Sequence, residues 1–325
     1  MIPATVVCGY LGSGKTTWLA QRLRHEAELH SLSDVCVISN DFASEGVDDW
    51  LLLADVSGDA PEVRSITGGC VCCSARDELL DGLLAFASRG HRSGKTPIER
   101  VLIEASGLAD PVTVVKEIAG HPVLRQHIFV DEFVVVLDGI SGLNLFRSGY
   151  IVPEQIATAD RVIITKADVS GEAELAALQE LVLEAAPAAK VEGTSYGRPH
   201  PLPELGLCPG SSTAEIGVVR NALKPIATVV QLAEDVVWEE YALWLECLLR
   251  ARPDQVLRSK GVINTPRGPI VLQSVGGIIQ LPTPAPAEVR GGTSMVFVTD
   301  GLESASLKAS IQRFVPSASR NVGSL

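Results

Sequence analysis

The chain has 325 residues, 46% hydrophobic and 20% charged, which is apolar enough for two folded domains and too apolar for a disordered chain. A net charge of −12 argues against nucleic acid or an anionic membrane surface as the main partner, and no apolar run is long enough to cross a bilayer. Seven cysteines, without the spacing of a secreted disulfide scaffold, and no signal peptide ahead of Thr5 point to reduced thiols and a cytoplasmic setting. Residues 4–10 (ATVVCGY) are a short β-rich run, and 16–29 (TTWLAQRLRHEAEL) have helical spacing. Further apolar, β-branched runs follow at 34–41, 100–106, 133–139 and 161–168, with helical stretches at 77–90 and 172–187. Buried strands alternating with helices predict an α/β domain over residues 1–205, a mostly parallel sheet with helices on both faces.

Near residue 205 the pattern stops, and a stretch rich in Gly, Pro, Ser and Thr opens a linker over 206–225. Charge changes there too. Residues 1–214 hold 16 basic and 29 acidic side chains, net −13, against 11 and 10, net +1, in residues 215–325. Residues 226–325 predict a smaller α+β domain: a strand at 227–232 and an amphipathic helix at 238–251 with Trp238, Trp244 and Leu245 at core spacing. Paired strands at 256–264 and 269–281 joined by a turn at Pro266–Gly268, a loop at 283–288, a strand at 294–300 and a helix at 304–314 complete it. That order suits a ferredoxin-like sandwich.

GYLGSGKT (9–16) matches G-x-x-x-x-G-K-[ST] in full, between a strand and a helix. This is a P-loop. Gly9, Gly12 and Gly14 let backbone N–H groups wrap polyphosphate oxygens, with Ser13 and Thr17 completing the cradle. Lys15 brings a point charge to the β and γ phosphates, and the Thr16 hydroxyl takes a Mg²⁺ position. In LIEASGLADP (102–111), Glu104 ends an apolar strand and reaches Mg²⁺ through water, while Gly107 offers its N–H to the γ-phosphate. TKAD (165–168) resembles the N-K-x-D element of guanine-nucleotide proteins. Asp168 accepts from guanine N1–H and the exocyclic amine, donors that adenine lacks, and Lys166 lies along the base. Thr165 stands where Asn is usual, keeping a hydroxyl but losing an amide. TSYG (194–197) is a candidate for the loop closing over the base, and an ordinary exposed Lys–Asp loop is the competing reading of TKAD.

GGCVCC (68–73) packs Cys70, Cys72 and Cys73 into four positions. A disulfide between neighbours is strained, and clustered thiolates repel unless a cation relieves them. Zn²⁺ suits such a set better than Mg²⁺, which prefers oxygen. Redox thiols and buried inert cysteines are the alternatives. With no fourth Cys or His at finger spacing, the site reads as exchangeable rather than structural. His121, His127 and His200 read as surface or capping residues, with completion of the metal shell by one of them as the alternative.

GYLGSGKTT, NDFASEGVD (40–48), GGCVCC, IEASGLADP, QIATADRVIITKAD (155–168) and VLRSKGVI occur in the order seen in the CobW family of GTP-dependent metallochaperones, which the chain resembles over nearly its whole length. The resemblance implies a GTPase domain followed by a CobW C-terminal domain. It implies GTP/GDP with Mg²⁺, and Zn²⁺ or a related divalent ion (Co²⁺ or Fe²⁺) at Cys70, Cys72 and Cys73. The family's N-E-F-G-E-like segment falls on Asn40, Asp41, Phe42 and Glu45, making Asp41 and Glu45 further metal candidates; Asp41 replaces the usual Glu, and Ala43 the usual Gly. Many relatives carry a His-rich tract that this chain lacks, which favours delivery of one ion over storage. The expected partner is a client metalloprotein, the expected oligomer a monomer or homodimer, and the expected intrinsic turnover slow. Competing readings are an activator GTPase inserting cobalt or iron into one enzyme such as a nitrile hydratase, a non-catalytic zinc sensor, and an ATP-dependent small-molecule kinase.

Overall fold

Continuous β-branched runs form strands here because a sheet covered on both faces needs no polar alternation. The computed structural model describes residues 1–28, 31–39, 61–65, 74–89, 97–105, 111–148, 156–205, 225–233, 236–265, 267–285 and 293–319. The chain divides into two units, Met1–Leu183 with Ala189–Ala222, and Glu184–Ala188 with Leu223–Leu325.

In the first unit the strands are β1 (Ile2–Cys8), β2 (Val35–Ser39), β3 (Glu62–Ser65), β4 (Arg100–Glu104), β5 (Ile128–Asp138), β6 (Arg161–Thr165), β7 (Lys190–Ser195) and β8 (Arg198–His200). They form one sheet in the order β3-β2-β4-β1-β5-β6-β7-β8, parallel throughout except for the β7–β8 hairpin. The described helices are α1 (Lys15–Ala27), α2 (Ser74–Ala87), α3 (Pro111–Gly120), α4 (Leu124–His127), α5 (Gly142–Arg147) and α6 (Glu172–Ala185). Trp18, Leu19 and Leu23 of α1 pack on Val7, Val37, Leu102, Val134, Val136 and Ile163 from five strands. Each such side chain contributes about 1.5–3 kcal/mol on burial. The Arg22 and Arg161 guanidinium groups lie over the Trp18 ring, 5.5 and 5.6 Å from its centroid.

Strand order decides where a ligand can go. β1 lies between β4 and β5, and the chain leaves it in one direction toward β2 and later in the other toward β6. Such a reversal opens a crevice at the carboxyl ends of the strands. Register aligns those ends: Val7 pairs with Glu104, Glu104 with Ser39, and Ser39 with Ser65 on one side. On the other side Val7 pairs with Val134, and Asp138 with Thr165.

The second unit holds β9 (Pro225–Gln231), α7 (Trp238–Ala251), β10 (Val256–Thr265), β11 (Gly268–Val275), β12 (Ile278–Ile279), β13 (Thr283–Pro284), β14 (Ser294–Asp300) and α8 (Ser304–Phe314). The antiparallel order is β12-β11-β10-β14-β9, with β13 on β11. Tyr241, Trp244, Leu245 and Leu249 of α7 share one core with Leu307 and Ile311 of α8 and with Ile263, Leu272, Met295 and Phe297. Trp244 and Leu245 are thus core residues, and Trp238 packs partly buried against them. The α+β expectation holds, and α8 follows the last strand at the expected residues. The run 269–281 is not one strand, because Gly276 and Gly277, at φ 55° and 80°, turn the chain between β11 and β12.

Candidate nucleotide site

The loop after β1 is built by glycine conformations. Gly9, Gly12 and Gly14 have φ of 150°, 76° and 86°, a region side chains with a Cβ rarely adopt. A Cβ on Gly9 would stand 2.2 Å from the Val136 carbonyl oxygen of β5. Gly14 is the left-handed N-cap of α1 and makes no side-chain cap, so the first helical N–H groups lack the usual capping acceptor. Those donors and the helix dipole together favour an anion. The Lys15 ammonium is buried over the same loop and donates to the Tyr10 carbonyl at 3.2 Å. Ser13 is 1% exposed, and its hydroxyl has no hydrogen-bond partner among the described residues; Thr17 is exposed.

Glu104 gathers the opposite wall. It ends β4 at 3% exposure; its Oε1 accepts from the Thr16 hydroxyl at 2.6 Å and its Oε2 from the Ser39 hydroxyl at 3.0 Å. Hard oxygen donors from α1, β2 and β4 therefore converge beside the phosphate cradle, a set that fits Mg²⁺ rather than a soft ion. Ser39 is a member the sequence reading missed; its signal was a hydroxyl ending an apolar run next to the Asn40–Glu45 segment.

On the far side, the Thr165 hydroxyl donates to the Ser13 carbonyl at 2.7 Å and to the Leu137 carbonyl at 3.1 Å. The residue standing in for Asn thus keeps the tie to the phosphate loop. Lys166 has φ 54°; its ammonium donates to the Gly12 carbonyl at 3.2 Å and pairs with Asp138 at 2.7 Å. Burial pushes the Asp138 carboxyl up, but the Lys166 ammonium, the Ile140 N–H and the Ser141 hydroxyl outweigh it and hold it below the usual carboxylate range. Asp138 was also missed, although it ends an apolar strand just as Glu104 does. Asp168 is exposed beyond this loop. The Ala167 N–H donates to the Thr194 carbonyl at 3.1 Å, which sets TSYG beside TKAD. Its Tyr196 and Gly197, at φ 47° and 75°, form the β7–β8 turn, and a Cβ on Gly197 would meet Gln21 Cβ at 2.6 Å.

Asp41, Glu45, Cys70, Cys72, Cys73 and Gly107 lie outside the described residues, as do linker residues 206–224. Residues on either side of them are described: Ser39 ends β2, Ser65 ends β3 in register with it, and Ser74 opens α2. His121 is a capping residue, its Nδ1 accepting from the Val123 and Leu124 N–H groups at 3.3 Å each. The His200 ring sits 2.9 Å from the Pro201 carbonyl.

A phosphate cradle at a sheet's switch point, with a buried hydroxyl–carboxylate pair beside it, defines a P-loop nucleotide-binding domain. The family described as CobW/HypB/UreG, nucleotide-binding domain, matches residues 3–192, and the cobalamin synthesis protein cobW C-terminal domain matches residues 226–315. The chain belongs to the CobW family. It is 31% identical over 275 residues to zinc chaperone YjiA of Escherichia coli, with 81% of each chain covered. It is 27% identical over 210 residues to zinc-regulated GTPase metalloprotein activator 1 of Schizosaccharomyces pombe, covering 63% of this chain and 48% of that one. The crystal structure of Zn(II)-bound YjiA GTPase from E. coli shares the fold at a TM-score of 0.56 and 23% identity, covering 96% of this chain and 98% of that one. Among the described residues no helix is long and apolar enough to cross a membrane.

Proposed function

We propose that this protein hydrolyses GTP and couples its nucleotide state to the binding of zinc at Cys70, Cys72 and Cys73, delivering the ion to a client metalloprotein in the cytoplasm. The observation that carries the reading is the buried Glu104 carboxylate, held by Thr16 at 2.6 Å and by Ser39 at 3.0 Å. One residue beyond Ser39 begins the segment with Asp41 and Glu45, and Ser39 is in register with Ser65, the last described residue before the cysteines. Through Ser39, the Thr16–Glu104 pair thereby meets the strand end that leads into Asp41 and Glu45, and that strand end is in register with Ser65, five residues before Cys70 in sequence. Relatives named as zinc chaperones favour zinc over cobalt or iron as the cargo.

In this reading the N–H groups of the loop from Gly9 to Gly14 and the start of α1 hold the phosphates. Lys15 exchanges its Tyr10 carbonyl for phosphate oxygens. Thr16 and Glu104 would hold Mg²⁺ here, and that ion, when bound, would neutralise charge on the β and γ phosphate oxygens. Asp168 reads the guanine donors, with Thr165 and Lys166 fixing its loop to the cradle. Gly107 senses the γ-phosphate. Zinc titrated into the GDP-bound protein and into protein holding a non-hydrolysable GTP analogue tests the coupling. The expected ratio of affinities is about 5–150-fold, matched by an equal effect of zinc on nucleotide affinity. Equal zinc affinities in the two states would remove the switch.

A further inference from the structure

We propose that Asp138 is a positioning residue for base recognition: its carboxylate holds the Lys166 ammonium against the Gly12 carbonyl and so fixes the backbone that presents Asp168. The proposal rests on the nucleotide reading above. Lys166 occupies the left-handed region at φ 54°, which costs a non-glycine residue free energy unless its surroundings hold it there. Three contacts do so. The ammonium donates to Gly12 at 3.2 Å and to Asp138 at 2.7 Å, and the Lys166 carbonyl accepts from the Ser170 hydroxyl at 2.7 Å. Of the three, only the Asp138 contact joins two opposite charges, which makes it the strongest of them.

Asp138 is well placed for this work. Its side chain is 11% exposed against 40% for Lys166, so it is the fixed partner and the lysine the adjustable one. Its other oxygen accepts from the Ile140 N–H at 2.9 Å, which locks the carboxylate's orientation in the turn after β5. β5 is hydrogen-bonded to β1 on one side and β6 on the other, so Asp138 stands between the strand that leads into the cradle and the one that leads into TKAD. Without the anion, Lys166 keeps only the neutral Gly12 acceptor for its ammonium, and the turn carrying Asp168, two residues on, is held to the phosphate loop by that weaker bond and by Thr165 alone. The side chain acts through Lys166.

Affinities for GDP and for inorganic tripolyphosphate test this in the full chain. Asp138→Asn is expected to weaken GDP about tenfold and to raise KM for GTP by the same factor, with kcat and tripolyphosphate affinity within about twofold. In a Lys166→Met background the same substitution is expected to cost less than about twofold more, because its partner is gone. An undiminished loss in that background, or an equal loss of tripolyphosphate, overturns the proposal. Lys166→Met alone is expected to reproduce the selective loss of GDP, so a chain that keeps GDP affinity with Lys166→Met overturns it whether or not Asp138→Asn folds. Failure of the unsubstituted chain to bind GDP removes the nucleotide reading and this proposal together; GDP binding without the coupling removes this proposal alone.

Discussion

The Thr16 hydroxyl donates to Glu104 Oε1 at 2.6 Å across 88 residues of sequence, joining the first turn of α1 to the end of β4. The contact ties the helix that follows the phosphate loop to a strand end on the other side of the crevice. Removing the hydroxyl with Thr16→Ala withdraws the side chain assigned to the metal while leaving the backbone cradle whole. Mg²⁺-dependent GTP hydrolysis is expected to fall on the order of 10²-fold. GDP affinity measured in a chelator is expected to change by less than about threefold. Phosphate release followed over a range of Mg²⁺ concentrations, beside a binding isotherm in EDTA, checks both halves.

Two glycines in one loop separate crowding from backbone strain. At Gly9 a Cβ would meet the Val136 carbonyl oxygen at 2.2 Å and Ser13 Oγ at 2.9 Å, and carbonyl oxygens of a central strand cannot step aside. At Gly12 no atom lies within 4 Å, and only the φ of 76° resists a side chain. Gly9→Ala is therefore expected to cost about 2–4 kcal/mol of stability and Gly12→Ala about 1 kcal/mol. Urea unfolding of the two variants gives the order directly; equal midpoints would show that the Val136 contact does not matter.

Legibility in the sequence followed burial. β2, β4 and β6 are apolar runs buried over nearly their full length, and their expected starts lie within a residue of the observed ones. β5 begins at Ile128, well before the expected 133, because Asp131 and Glu132 interrupt the pattern; Glu132 instead serves as an ion-pair partner for Arg22 and Arg161. β3, with the sequence EVRS, and the β7–β8 hairpin lie toward the sheet's edges, where polar residues are tolerated and periodicity fades. α3, with Val, Thr or Ile at five of its ten positions, carries β-branched residues that disguise a helix. In the site, the motif residues were readable because phosphate chemistry restricts them. Ser39 and Asp138 were not, because each acts through a neighbour brought alongside only by strand register.

Thr165 has one hydroxyl proton, and it is shared between the Ser13 carbonyl at 2.7 Å and the Leu137 carbonyl at 3.1 Å. No donor is left on that side chain for a base nitrogen. Under the proposed function, discrimination then rests on Asp168 and the guanine donors it faces. Replacing guanine N7 by CH, in 7-deaza-GTP, is expected to change affinity by less than about twofold. Inosine triphosphate, which lacks the exocyclic amine, is expected to bind about ten- to a hundredfold more weakly. Competition of each against a fluorescent GDP analogue measures both; a large 7-deaza penalty would mean that Thr165 turns to the base.

Cys36 lies in β2 with no exposed surface, and burial, with the Glu62 charge adding to it, pushes its thiol from 9.0 up to about 12 in spite of Arg89. The sign follows from linkage. The folded protein holds this proton more tightly than the unfolded chain, so the thiol's contribution to stability is whole below pH 9 and is lost as pH rises toward 12. Over that window the native protein is expected to lose up to about 1.4 kcal/mol per pH unit from this one group. Cys36→Ala removes that component of the slope while lowering stability at neutral pH by its lost packing, so the two chains' unfolding free energies converge as pH rises. In the folded protein at pH 8, an alkylating reagent is expected to modify exposed Cys247 and to leave buried Cys8 and Cys36 intact, as peptide mapping would show. Parallel pH slopes for the two chains would mean that water or a local opening reaches Cys36 in the native sheet.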